Sequence, residues 1–244
     1  MITKKILIAL FGLASAATLI SCSTSPATSQ SQAAAAQSAS SADLKATYDG
    51  LAKAGGKVYT LDPKTSAVRI YVFRGGMATK LGHNHVLSAP QFDGFVHMPP
   101  GMESDARFDL AFRFDQLEID NTEYRSGLGK AFSTVLNQAA IDGTRDHMLG
   151  EDNMQADRYP TIRIHSVQIT GEAPRLAAKV QVEMHGQTRE MWVPLSADIQ
   201  PDHLTVSGSF VLRQTDFGAQ PYSVLGGLLA VKDEVVIDFK LSGS

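Results

Sequence analysis

One cysteine, Cys22, occurs in 244 residues. The rest of the chain therefore has no disulfide, thiolate metal site, nucleophilic cysteine or covalently attached c-type haem. Long hydrophobic runs are missing too. The longest, ILIALFGLASAATLI at 6–20, has fifteen residues, short of the roughly 20 that cross a bilayer as a helix. Positive charge is scarce: 22 Lys+Arg stand against 25 Asp+Glu, with no basic cluster to meet nucleic acid or an anionic surface. No G-x-S-x-G, H-E-x-x-H, Walker or G-x-G-x-x-G motif occurs. GLAKAGGK at 50–57 has Gly56 where a phosphate loop needs its lysine. Nothing in these motifs argues for an enzyme, a cofactor or a nucleic-acid partner.

What is present begins with an address. Lys4 and Lys5 precede the apolar run, and LISC at 19–22 follows it, the layout of a secretory signal. Leu19, Ile20, Ser21 and Cys22 resemble a bacterial lipobox, which implies cleavage before Cys22 and lipid attachment to it. Ser23, in place of aspartate, implies sorting to the periplasmic face of the outer membrane in a Gram-negative bacterium, with the inner membrane as the alternative. Without the signal, 20 basic residues face 25 acidic ones, a net charge of −5. Membrane attachment is thus expected from acyl chains rather than charge.

Residues 1–21 are read as the signal, 22–55 as lipidated cysteine and tether, and 56–244 as one domain. STSPATSQSQAAAAQSASS at 23–41 has too little apolar bulk to order itself. Leu44, Tyr48 and Leu51 fall at helical spacing, and Gly55 and Gly56 end that short stretch.

From there the period is two. Val68, Ile70 and Val72 alternate with Arg69, Tyr71 and Phe73, and Phe108, Leu110, Phe112 and Phe114 with Arg107, Asp109, Ala111 and Arg113. Further alternating segments follow, with turns at HGQ 185–187 and QPD 200–202. About eight antiparallel strands predict a mainly all-β barrel with room for side chains or one small ligand. Pro194 within a strand predicts a bulge or an edge, where closure is imperfect. Alternation lapses over 121–159, where Leu128, Phe132, Val135 and Leu136 fit one helical stripe. Such a helix either covers the barrel mouth or packs outside the sheet.

YTLDPKTSAVRIYV, TRDHML, RYPTIRIHSV, MHGQTREMWVPL, LRQTDFG and DEVVIDFKL occur in this order. Together they resemble the YceI-like family of bacterial periplasmic proteins across Lys57–Leu241. The resemblance implies an extended antiparallel, lipocalin-like barrel that binds or carries an isoprenoid or quinone-like lipid, without established catalysis. On that reading Phe73, Phe112, Phe132, Leu136 and Trp192 are the candidate lining residues. Arg145 either meets a ligand head or pairs with Asp146 to anchor its loop. Oligomeric state is open, a homodimer included.

GHNH at 82–85 departs from the usual family pattern. His83 and His85 project to one side of an extended chain, a geometry that can chelate a metal, with His147 or His97 as a third ligand. The plainer alternatives are imidazoles bonded to loop backbone and a contact to a ligand's polar head. His165, His185 and His203 are expected in solvent.

Overall fold

The computed structural model describes residues 41–101 and 103–244. The signal 1–21, Cys22 and the tether up to residue 40 lie outside the described residues. The order is α1 (Ser41–Ala54), β1 (Lys57–Thr60), β2 (Ala67–Gly75), β3 (His85–Ser88), β4 (Asp93–Met98), β5 (Arg107–Arg113), β6 (Glu118–Ile119), α2 (Thr122–Ser126) and α3 (Gln138–Leu149). It continues with β7 (Thr161–Glu172), β8 (Arg175–Met184), β9 (Gln187–Ile199), β10 (Leu204–Arg213), β11 (Ser223–Val224) and β12 (Leu229–Gly243).

All pairings are antiparallel, in the order β1-β4-β5-β7-β8-β9-β10-β12-β2-β3-β6, with β11 beside β12. The sheet curls until the chain after β1 meets the end of β12. Thr60 and Ser244 exchange amide-to-carbonyl bonds of 3.0 and 3.2 Å, and the Asp62 amide donates to the Ser242 carbonyl at 2.9 Å. Eight strands therefore close at this narrow end, and β2, β3 and β6 continue the sheet beyond the closure. Gly208 allows the tight curl. A Cβ there would lie 2.6 Å from both the Phe239 ring and the Pro194 carbonyl.

The β9–β10 ladder runs from Ile199–Leu204 to Leu195–Gly208 and stops there. The next residue, Pro194, has no amide to continue it, so the two strands part toward the wide end. Phe217, fully buried, lies in the 3₁₀ turn that follows β10 and packs beside β9. The β8–β9 hairpin turns through His185 and Gly186, with φ of 51° and 71°. Two positive φ values in a two-residue loop match the right-handed twist of the flanking strands.

The segment 121–159 departs from the expected stripe. Leu128, Phe132, Val135 and Leu136 do not share a helix: Gly129, at φ 72°, interrupts it, and Val135 is almost fully exposed. The longer helix begins later, where the Asn137 side chain caps it by accepting from the Ala140 amide at 2.9 Å. Ala140, Gly143, Thr144, His147 and Met148, one face of α3, close over the wide end of the sheet.

The helix α1 is part of the fold. Tyr48, 1% exposed, stacks on Phe95 with ring centres 5.2 Å apart. Its hydroxyl donates to Asp109 at 2.7 Å, and Asp109 also meets His165 Nδ1 at 2.8 Å. The helix packs on the domain because Tyr48 finds a place on the outer face of β4 and β5.

Candidate functional site

The inside of the curled sheet is hollow. A cavity of about 570 Å³ runs along it, walled by side chains from β2, β3, β4, β5, β7, β8, β9, β10 and β12 and capped by α3. The volume lies within the roughly 300–1,000 Å³ of small-molecule sites. Val68, Ile70 and Val72 face it from β2, and Phe108, Leu110 and Phe112 from β5, with Phe114 just after. On each strand these residues share one parity of the alternation read in the sequence, which did not itself say which face turns inward.

The two ends differ. The narrow end is wholly apolar, with Leu61, Leu204, Val206, Ile199 and Leu241. At the wide end the wall includes Arg74, His83, His85, Thr144, His147, Asn153, Gln214 and Tyr222. A ligand with a long apolar body and one polar end matches this division.

The expected lining residues fare unevenly. Phe112 lines the cavity. Phe73 does not: it has the opposite parity to Val72 and packs edge-on against Phe132, 6.4 Å away, on the outer face of β2. Phe132 is buried there, 5.9 Å from Tyr71. Leu136 lies in the stretch between that outer cluster and α3, off the cavity wall. Trp192 is half exposed on the outside of β9, opposite Lys179, while its neighbour Val193 points in. Arg145 anchors α3, donating to the carbonyls of Asp115 at 3.1 Å and Leu117 at 2.8 Å rather than pairing with Asp146.

His83 and His85 both face the cavity, their rings 4.7 Å apart and edge to face. His85 Nδ1 lies 2.6 Å from Asp120 Oδ2. Asp120 is fully buried; its Oδ1 accepts from the Val86 amide at 3.0 Å and from Arg125 Nη1. Arg125, also buried, donates further to the carbonyls of Asn84 at 2.8 Å and Thr134 at 3.1 Å. Burial pushes the Asp120 carboxyl up, but hydrogen bonds from His85 and Val86 and the Arg125 charge outweigh it and hold it below the usual carboxylate range. Burial, and then the neighbouring His85, hold His83 below the ordinary imidazole value. Gly82 and Asn84 support the loop: the Asn84 side chain accepts from the Arg74 amide at 2.9 Å, and the Gly82 carbonyl accepts from the Arg74 side chain at 2.9 Å.

The metal alternative needed His147 or His97 to join this pair. His147 faces the cavity from α3 and packs on Tyr222, ring centres 4.6 Å apart. His97 is buried elsewhere, its Nε2 2.8 Å from the Gly55 carbonyl. Among the described residues no group of three or more His, Cys, Asp or Glu side chains is arranged to hold a metal ion. His185 is also not in solvent, as expected for a turn: it is buried, with Nδ1 2.9 Å from the Phe217 carbonyl.

Asp120 and Arg125 went unnoticed in the sequence, 35 and 40 residues from His85. Their only local signal is an acidic residue just ahead of a short capped helix and a basic residue in its last turn, which is ordinary local chemistry.

The crystal structure of Burkholderia cenocepacia BcnA is similar in fold, at 14% identity and a TM-score of 0.53, over 75% of this chain and 99% of that one. A Campylobacter jejuni YceI protein, crystallised with large solvent channels for nanotechnology applications, matches at 11% identity and a TM-score of 0.48, over 65% and 84%. No curated protein matches significantly. The family model of the YceI-like domain fits residues 59–242, from the first strand of the closed ring almost to the end of its last, and the chain accordingly belongs to the YceI-like family.

Proposed function

We propose that this protein binds and carries an amphiphilic lipid of the isoprenoid or quinone type, held inside the barrel. The hollow, apolar, one-ended cavity carries this reading. Each methylene buried there contributes about 0.8 kcal/mol, so a chain of a few isoprene units binds tightly without any catalytic group. The protein acts as a binding protein rather than an enzyme and needs no other cofactor.

Entry from a membrane is supported at the wide end. Met77, Leu81 and Leu225 are each at least three-quarters exposed. The loops that bear them are joined, because the amides of Met77 and Ala78 donate to the carbonyls of Gly227 at 3.2 Å and Leu228 at 2.9 Å. Exposed apolar side chains at a cavity mouth suit contact with a lipid phase. Anchoring through Cys22 at the periplasmic face of the outer membrane would hold that mouth close to its source. The unit of function is taken as one barrel with its ligand.

Organic extraction of the purified protein, followed by mass spectrometry, tests this. Near-stoichiometric isoprenoid or quinone-like lipid is the expected result. Protein that carries no lipid and takes up none from vesicles would overturn it.

A further inference from the structure

The polar residues at the wide end of the cavity are not equivalent. Three are committed to the fold: Arg74 donates to the Gly82 carbonyl at 2.9 Å, Gln214 to that of Lys232 at 2.9 Å and Asn153 to that of Gln220 at 2.7 Å. His83 and His85 are placed but not committed. Neither His83 nor Nε2 of His85 has a hydrogen-bond partner among the described residues.

The layer behind His85 determines which kind of partner it takes. Asp120 is a carboxylate whose charge is already met by Arg125, and Arg125 is in turn held by two backbone carbonyls. Asp120 therefore serves His85 as a fixed hydrogen-bond acceptor. An acceptor on Nδ1 places the proton of a neutral imidazole there and leaves the Nε2 lone pair toward the cavity. Asp120, held by the Val86 amide and Arg125, fixes the ring's orientation through its bond to His85 Nδ1. His83, alongside and without such a constraint, has an N–H to offer. One imidazole thus presents an acceptor and its neighbour a donor, at the polar end of an apolar cavity.

We propose that His85 and His83, positioned by Asp120 and Arg125, form a head-group site for amphiphiles that end in a hydroxyl. The ligand O–H donates to His85 Nε2, and its oxygen accepts from His83. Among alcohol, ether, ester and ketone heads, only a hydroxyl fills both roles. Ethers, esters and ketones accept but do not donate, and leave Nε2 facing the ligand unmatched. The inference rests on the lipid-carrier reading above and narrows it to long-chain alcohols, phenols and quinols, against quinones and esters. Among the described residues no carboxylate is bonded to His147 or Tyr222, across the mouth, and they impose no such choice.

A competition tests it. The full chain, stripped of lipid, is offered an equimolar mixture of geranylgeraniol and geranylgeranyl methyl ether at pH 8, and the bound species are counted by native mass spectrometry. The apolar chain is common to both, so only the head differs. The alcohol should exceed the ether by about tenfold or more, the scale of one unmatched hydrogen-bonding group. In His85→Phe the ratio should fall toward one with ether binding retained. Long-range ¹⁵N spectra of the unsubstituted protein should show His85 protonated at Nδ1, with the Nε2 signal moving on addition of the alcohol. Equal binding of the two ligands, or a preference that survives His85→Phe, overturns the head-group site and leaves the cavity reading intact. If neither ligand binds, the cavity reading fails and this inference fails with it.

Discussion

Asp120 is fully buried, and its three partners arrive from two elements: His85 and the Val86 amide on β3, and Arg125 on α2. Removing one partner of a buried ion pair leaves the other charge uncompensated, at a cost of about 3–5 kcal/mol. Asp120→Ala should therefore lower unfolding stability by about that much in urea titrations near neutral pH. The pH dependence has a definite sign. The folded carboxyl titrates below the usual carboxylate range, so its contribution is complete above the unfolded value of about 3.9 and is lost as pH falls through the lower folded one. The gap between the unsubstituted protein and Asp120→Ala should be widest near pH 6–7 and shrink below about pH 4. A gap that stays constant into acid would assign the loss to packing alone. None of this was legible beforehand. His85 and Asp120 meet through the pairing of β3 with β6, and β6 is two residues long, with no alternation to betray it.

At the scale of elements, parity in the longer strands was readable because the pleat fixes it. Val68, Ile70 and Val72, like Phe108, Leu110 and Phe112, point inward as alternation requires. Phe73 has the opposite parity to Val72, and Trp192 to Val193, so neither reaches the cavity. The stripe over 128–136 failed for a local reason. Helical periodicity in apolar residues says nothing when a glycine at positive φ and an asparagine cap divide the segment. At α1 the helical spacing of Leu44, Tyr48 and Leu51 was legible, but the docking that Tyr48 provides was not, because its partners Phe95 and Asp109 lie 47 and 61 residues away. Burial and the nearby Asp109 push the Tyr48 hydroxyl up, so it remains a donor across the working pH range. A hydrogen bond to a charged acceptor contributes about 1.5–3 kcal/mol, and here the contribution is local. Tyr48→Phe should speed amide hydrogen exchange across residues 44–54 while leaving the barrel strands protected. Uniform acceleration through β7 to β12 would instead make α1 a partner in global stability.

For the whole molecule, the sheet closes at the end where its wall is apolar and opens at the end where its polar groups gather. Pro194 contributes to this by ending the β9–β10 ladder, and α3 caps the opening that results. A hollow interior forgoes packing that a filled one would supply, so binding should show up in stability. At a ligand concentration 100 times its Kd, an occupied cavity gains about 2.7 kcal/mol. Geranylgeraniol should therefore raise the unfolding midpoint of the stripped protein in proportion to the logarithm of its concentration. Ile237→Trp places an indole in the middle of the cavity from a strand whose backbone is held on both sides. In a packed core that enlargement would cost about 1–3 kcal/mol. Here it should cost less than the natural ligand contributes, and the variant should no longer be stabilised by geranylgeraniol. A variant that unfolds outright, or that still responds fully to the lipid, would mean that the space around Ile237 is not where the chain lies. Retained stability with no lipid response would place the apolar chain beside β12 and separate the cavity's contribution from that of the histidines at its mouth.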